Sequence, residues 1–410
     1  MSQRKVPLPD FRGNFLANRR LHLLELLGSG AYGKVYRALD TESPAGDPVY
    51  YAVKCMSKYE KGTHRNLQQL KEFALHAKVA VHPNIVTFHD VIYDHAFVYV
   101  VLNLCSGGDL HSAIIEKRLF YKNDELLRAA FLQIIDAVHF CHQQHVFHRD
   151  LKPDNILCSA DGREIFLADF GLATHVDQCE HFGCGSMFYK SPGLLFYVCP
   201  IRLLELIRIY IECLGEKGRK NYSTQQSDIW SLGVVLVNLI TGRCPWKIAK
   251  IEDPSFKSLL HEESYFRRTL PMSPRAVTLL KRIFQLDPLL RITLPELRAE
   301  IVKMDTFFIS DADLLLADEQ VRIVDSYFTS PHCHPTPRQR KTQDHPFASL
   351  NDIALVPQLG LSPEPESTHR HRAPCNAAMF TPPRRRALLT KVVNKLKAIS
   401  RTSTASSRSS

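Results

Sequence analysis

The chain has 410 residues, with 52 Lys and Arg against 42 Asp and Glu and a formal net charge of +10. That length exceeds one ordinary domain, and the excess charge sits at the far end: His369 to Ser410 holds ten Lys and Arg and no Asp or Glu, so residues 1–368 balance to zero. A basic nucleic-acid-binding face is thereby excluded for the body of the chain, and eleven cysteines without a C-x-x-C pair speak against a disulfide scaffold and for a reducing compartment, cytoplasmic or nuclear.

Residues 1–20 read as an N-terminal extension, and Met1 to Asp10 lacks the apolar core of a signal peptide. An apolar run from Leu21 to Leu27 then leads into Gly28-Ser29-Gly30-Ala31-Tyr32-Gly33-Lys34-Val35, a turn between two strands. Glycines there let backbone N–H groups close over phosphates, although the same spacing also opens dinucleotide-binding units. Val35 and the alternating Val49, Tyr51 and Val53 decide between the two, because they put strands on both sides of the glycines. A helix is predicted over Leu67 to Lys78, where Leu70, Phe73, Ala74 and Ala77 recur at helical spacing before the break at His82-Pro83. Phe97 to Leu102 reads as a buried strand. Glu125 to Gln144 reads as an amphipathic helix with Leu127, Phe131, Ile134, Ile135 and Val138 on one face.

The most informative stretch follows that helix. It is His148-Arg149-Asp150-Leu151-Lys152-Pro153-Asp154-Asn155, with Asp169-Phe170-Gly171 beginning fourteen residues after Asn155. Together these residues supply what phosphoryl transfer needs. Asp150 is a carboxylate that can accept a hydroxyl proton and aim the attacking oxygen, Lys152 neutralises charge on the transferred group, and Asn155 and Asp169 are hard oxygen ligands for Mg2+.

The glycine-rich stretch, the Tyr-Ala-Val-Lys run ending at Lys54 and these two motifs occur in the order found in eukaryotic protein kinases, which the chain resembles over about Leu21 to Lys303. The resemblance implies an α+β, bilobal fold, with a small β-rich N-lobe over about 21–102 and a larger helical C-lobe over about 103–303. It implies ATP and Mg2+ as cofactors. Gly28, Ser29, Gly30, Ala31, Tyr32 and Gly33 would cover the phosphates, and Lys54 would hold them with its rotamer fixed by Glu72. Val35, Ala52 and Leu157 would lie above and below the adenine ring, backbone groups near Asn103 to Cys105 would bond its edge, and Asp109 would face the ribose. Asp228-Ile229-Trp230-Ser231-Leu232-Gly233 resembles the buried helix whose aspartate braces the catalytic loop.

Lys152 and Ser186 mark serine/threonine rather than tyrosine specificity within the family, so the implied partners are proteins bearing Ser or Thr. Asp109 and Asp154 add a weak preference for basic surroundings. A closer likeness, to the fungal Ran-type serine/threonine kinases that restrain mating and meiosis or act in nutrient responses, rests on three stretches. These are Leu104 to Leu110, Phe182 to Tyr189, and Asp228 to Asn238 with Arg243-Cys244-Pro245-Trp246. Lys190 departs from it, standing where a methionine is usual. No Ser, Thr or Tyr lies between His175 and Gly185, so the usual phosphate partner of Arg149 is absent and Asp177 or Glu180 is expected in its place.

Kinases close the activation segment with Ala-Pro-Glu or Ser-Pro-Glu, whereas this chain reads Ser191-Pro192-Gly193. Excising Gly193 to Ile211 restores the triplet with Glu212, the expected partner of Arg291. The run 193–211 is apolar, but Arg202, Glu205, Arg208 and Pro200 make it a poor membrane span. Two origins stay open: translated intron sequence, which requires codon 193 to be a GGT (or GGC) glycine and codon 211 to be ATA, or a true insertion forming a docking helix. An insert that breaks the substrate wall would leave a nucleotide-binding scaffold instead of an enzyme.

Residues 304–410 are predicted to form a largely disordered tail, interrupted by prolines from Pro331 onward. Within it, segment 384–399 carries Arg384, Arg385, Arg386, Lys391, Lys395 and Lys397 among Leu388, Leu389, Val392, Val393, Leu396 and Ile399, the pattern of a basic amphipathic helix. Nuclear import, contact with an anionic membrane and docking to a partner all remain open for it. A monomer is expected, with no specific nucleic-acid binding by the kinase domain.

Overall fold

The computed structural model describes residues 8–30, 33–180, 184–192 and 222–329. Its first lobe is an antiparallel sheet of β1 (Phe15–Leu16), β2 (Leu21–Gly30), β3 (Gly33–Asp40), β4 (Tyr50–Ser57), β5 (Phe88–Tyr93) and β6 (Phe97–Asn103), in the order β1-β2-β3-β4-β6-β5. Strand alternation gives the sheet a closed and an open side. Tyr36, Ala38, Tyr51 and Val53 are buried on one side, while the register Val35↔Lys54 puts Val35, Lys54 and Ala52 together on the other. Helix α1 (His64–Val79) follows β4, its start capped by Thr63, whose side chain accepts from the Asn66 N–H. The glycine-rich stretch is more strand than loop where it is described: Gly28, Ser29 and Gly30 pair with Val35, Lys34 and Gly33, while Ala31 and Tyr32 lie outside the described residues.

The second lobe is helical. It contains α2 (Leu110–Ile115), α3 (Asp124–Gln143), the hairpin β7 (Ile156–Cys158) with β8 (Ile165–Leu167), and β9 (Gln178–Cys179) paired with β10 (Tyr222–Ser223). Helices α4 (Thr224–Thr241), α5 (Pro254–His261), α6 (Tyr265–Thr269), α7 (Pro274–Ile283) and α8 (Leu294–Val302) complete the expected domain. Helix α4 is buried all round, as a helix at the centre of a core must be. It starts at the Ser223 cap and stops at Gly242, whose φ of 60° reverses the chain. Its Trp230 packs with Trp246 and Phe284 at ring-centroid distances of 5.6 and 4.9 Å. These two lobes are the α+β, bilobal architecture implied by the sequence.

Packing continues past the span 21–303 on both sides. The extension 1–20 is part of the first lobe from residue 8 on: Phe11 is 1% exposed and meets Phe97 and Tyr99 edge-on at 4.9 and 5.8 Å. Its backbone N–H donates to the Tyr36 hydroxyl, which in turn donates to Asp10. The first residues of segment 304–410 pack in a similar way. Met304, Phe307, Phe308, Val321 and Val324 are buried, and α9 (Asp311–Leu316) and α10 (Glu319–Thr329) extend the second lobe. The prolines begin only at Pro331. The insert 193–211, Glu212 and the basic segment 384–399 lie outside the described residues. No helix among the described residues is long and apolar enough to cross a membrane.

Candidate active site

Lys54 projects from β4 toward α1 and the Asp-Phe-Gly turn. Its Nζ lies 2.8 Å from Glu72 Oε1 and 3.2 Å from Asp169 Oδ1, with the Lys54 and Glu72 side chains only 15% and 17% exposed. Burial works against the charged amine, but the two carboxylates outweigh it, so the Lys54 pKa moves up from its ordinary value. Lys54 reciprocally holds the Asp169 carboxyl below the usual carboxylate range against the opposing effect of burial. Glu72 sits on α1 because its helical neighbours Gln69, Leu70 and Phe73 are buried, which fixes the rotation of the helix.

The catalytic stretch lies within the second lobe, between α3 and β7, on a backbone held by α4. Asp228, on α4, accepts from the N–H groups of His148 (2.9 Å) and Arg149 (2.8 Å) and from His142 Nε2 (2.9 Å). Arg149 needs that support, because its φ is 67°, a region that residues other than Gly seldom enter. One residue on, Asp150 Oδ1 accepts from the Ser186 N–H (2.9 Å) and Oγ (3.0 Å), and Oδ2 accepts from Asn155 Nδ2 (2.9 Å). Lys152 Nζ lies 3.1 Å from Asp150 Oδ2 and donates to Ser186 Oγ at 2.8 Å. Four predicted residues thus meet at one carboxylate.

Asn155 turns its amide nitrogen toward Asp150, which leaves its oxygen free to act with Asp169 as a ligand for a hard cation. No cluster of three or more His, Cys, Asp or Glu able to hold a metal occurs among the described residues, so the two oxygens fit Mg2+ only with phosphate oxygens and water completing the shell. Val35, Ala52 and Leu157 are each half-buried on strands whose neighbouring residues are buried, as expected of a cleft lining. The adenine-edge expectation divides: the Asn103 N–H is taken by the Thr87 carbonyl and its side chain by His89, whereas the Cys105 N–H has no hydrogen bond among the described residues. Asp109 is placed beside Leu157, with one carboxylate oxygen committed to the N–H of Ser112 as the cap of α2.

The family described as protein kinase domain matches residues 21–301. The chain belongs to the protein kinase family. It is 40% identical over 279 residues to a Schizosaccharomyces pombe protein named negative regulator of sexual conjugation and meiosis, covering 68% of this chain and 58% of that one. It is 29% identical over 328 residues to the Saccharomyces cerevisiae serine/threonine-protein kinase VHS1, covering 68% and 69%, and 34% identical over 284 residues to CBL-interacting protein kinase 33 of Oryza sativa subsp. japonica, covering 68% and 56%. The chain therefore spans little more than half the length of two of these relatives. The fungal likeness expected from the sequence is among them.

Three features of this kinase were not legible beforehand. A stack runs through the site: His76 lies on Phe170 with ring centroids 4.7 Å apart, and Phe170 meets His148 at 5.0 Å while His76 meets Phe88 at 5.2 Å. Its members come from four separate segments, so no periodicity announces it. His76 Nε2–H donates to the Val86 carbonyl (2.8 Å), and burial pushes its pKa down to about 4. The second is Gly185, at φ 86°, where a Cβ would stand 2.6 Å from the Arg149 carbonyl oxygen. The third concerns Arg149, whose guanidinium donates to the Cys184 sulfur, while Asp177, expected there, has its carboxylate 3.8 Å from His145 Nδ1. Arg291, whose expected partner Glu212 is outside the described residues, donates to the carbonyls of Gln285 and Gln226 and lies over the Trp230 ring at 5.1 Å.

Proposed function

We propose that this chain is an ATP-dependent serine/threonine protein kinase that transfers the γ-phosphate to Ser or Thr hydroxyls of protein substrates. The observation that carries the reading is the Asp150 carboxylate, fixed by Ser186, Asn155 and Lys152, in a fold that also assembles the Lys54–Glu72–Asp169 group. Asp150 orients the substrate hydroxyl and takes its proton, and its rigid mounting limits the motion that would misalign the attacking oxygen. Lys152 faces the charge that develops on the transferred group, and Lys54 positions the nucleotide phosphates. Mg2+, held by Asn155 and Asp169, would supply charge that offsets the phosphate oxygens. The same reading gives Cys105 N–H the adenine edge and Val35, Ala52 and Leu157 the ring faces.

Preference for basic residues near the acceptor rests on Asp154 more than on Asp109. Asp154 Oδ2 is buried with no hydrogen-bond partner, which suits a group that receives a cation from the peptide, whereas the Asp109 carboxylate already caps α2. No observation favours the scaffold alternative, since each catalytic residue predicted from the sequence has the partners the reaction requires.

The deciding experiment measures transfer from Mg-ATP to a basic Ser/Thr peptide by the full chain, by a form lacking Gly193 to Ile211, and by Asp150→Asn. Activity in the first two that falls by ~10³-fold or more in Asp150→Asn, with nucleotide binding retained, is expected of a kinase that tolerates its insert. Activity only in the deletion form would mark the insert as foreign to the working enzyme. Nucleotide binding without transfer in all three forms would overturn the proposal in favour of a scaffold.

A further inference from the structure

Lys71 stands one position before Glu72 on α1 and takes no part in the transfer step. Its Nζ donates to Thr174 Oγ1 at 3.1 Å, in the chain between the Asp-Phe-Gly turn and β9. The position is a costly one for a cation. Burial lowers the Lys71 pKa and the nearby Arg149 guanidinium lowers it further, and Lys71 forms no ion pair among the described residues. A lysine stem can carry its ammonium out to water, yet this one turns inward to a hydroxyl.

Thr174 is 2% exposed and firmly seated. Its carbonyl accepts from the Phe147 N–H at 2.8 Å and its own N–H donates to the Phe147 carbonyl at 2.9 Å, while Oγ1 also accepts from the Val176 N–H at 3.3 Å. Phe147 leads directly into His148 and Arg149, whose N–H groups are held by Asp228. The partner of Lys71 is thus fixed to the catalytic stretch. Burial also closes the Thr174 hydroxyl to modifying enzymes, so the tie is a standing part of the fold.

Helix α1 is anchored unevenly. Its second half meets the second lobe through Leu75 and Val79, which join the apolar core of that lobe, through His76 on Phe170 and through Lys78 on the Gln144 carbonyl. Residues 64–71 make one hydrogen bond to the second lobe among the described residues, that of Lys71; Gln69 donates instead to the Ser57 carbonyl at the end of β4. Glu72 is the next residue, so the seating of this half of the helix decides whether Glu72 Oε1 meets Lys54 Nζ at 2.8 Å.

We propose that Lys71 is a positioning residue, whose bond to Thr174 holds the Glu72 end of α1 against the catalytic stretch and so keeps Glu72 on Lys54. The inference rests on the reading of Lys54 and Glu72 as the pair that holds the nucleotide phosphates.

Two measurements on the full chain test it: titration with Mg-ATP, and hydrogen–deuterium exchange without nucleotide. Lys71→Met keeps the stem and loses the ammonium, and Thr174→Val keeps the branched shape and loses the hydroxyl. Each is expected to weaken Mg-ATP about tenfold, corresponding to ~1.4 kcal/mol. The double variant should be no weaker than either alone, because both changes remove the same bond, and Thr174→Ser, which keeps the hydroxyl, should retain affinity. Amides of 67–72 should exchange faster in Lys71→Met and Thr174→Val, with those of α3 unchanged as the control for folding. In peptide phosphorylation the KM for ATP should rise while that for the peptide stays the same. Losses that multiply to about a hundredfold in the double variant would overturn the proposal, and so would unaltered affinity and exchange in Lys71→Met. Thr174→Ser as damaging as Thr174→Val would also overturn it, by assigning the effect to packing. A chain that bound no Mg-ATP in any form would refute the nucleotide reading instead, and exchange at 67–72 would still decide whether the tie holds the helix.

Discussion

At Gly185 a single hydrogen atom decides whether the substrate wall can approach the catalytic base. Its φ is 86°, and a Cβ would lie 2.6 Å from the Arg149 carbonyl oxygen, while Arg149 is itself at φ 67° and held by Asp228, so neither side can give way. Gly185→Ala is expected to cost more than ~1 kcal/mol in stability and, by shifting Ser186 away from Asp150, to lower kcat ~10²-fold with little change in nucleotide affinity. Steady-state kinetics beside a nucleotide titration reads both, and unaltered kcat would show that the Ser186–Asp150 contact does not position the base. At this scale the sequence singled out Lys54, Glu72, Asp150, Lys152, Asn155 and Asp169, because phosphoryl transfer demands particular side chains at particular spacings, and the structure gathers them around Lys54 and Asp150. Which backbone groups between Asn103 and Cys105 stay open to adenine is not a matter of spacing, since the Asn103 N–H is taken by the carbonyl of Thr87, sixteen positions away.

Helix α4 and the activation segment show what elements add to residues. Asp228 receives two backbone N–H groups and His142 Nε2, an arrangement that needs acceptors on both carboxylate oxygens. Asp228→Asn would turn an NH2 group toward a donor, and is expected to cost about 3 kcal/mol and to release the 148–150 backbone, lowering kcat. A urea midpoint shift without loss of kcat would separate stability from positioning and refute the second half. In the activation segment, Arg149 meets the Cys184 sulfur, and Lys71 of α1 donates to Thr174 Oγ1 at 3.1 Å; α1 and the segment are thus joined without phosphate. Phosphatase treatment is therefore expected to leave peptide phosphorylation unchanged, and a strong loss would reveal a phosphate that this arrangement does not account for.

Across the whole molecule the His76 stack links the sheet, α1 and the catalytic stretch, and it makes a pH-dependent contribution to stability. Burial pushes the His76 pKa down to about 4 in the folded protein from its ordinary value of 6.5, so as the pH falls the unfolded chain takes up the proton first. The contribution is fully present above pH 6.5 and is lost progressively down to pH 4, in total ~3 kcal/mol. Denaturation midpoints measured across that window should fall more steeply for the unaltered protein than for His76→Leu. Parallel curves would place the acid sensitivity elsewhere, His82 being one alternative, since burial lowers its pKa as well.

The sequence by itself determined the family, the order of the motifs and the reaction class they imply, because local chemistry fixes which side chains can hold phosphate, metal and proton. Helical and strand periodicity likewise located α1, α3 and β6 to within a few residues. Only the tertiary structure showed that packing runs past residues 21 and 303, since Phe11, Phe307 and Val324 are buried through distant contacts and carry no local signal of burial. The same holds for the His76–Phe170–His148 stack and for the donors that fix Asp150. These are relations between segments far apart in the chain, and a linear pattern records what each residue is but not which neighbours folding will bring to it.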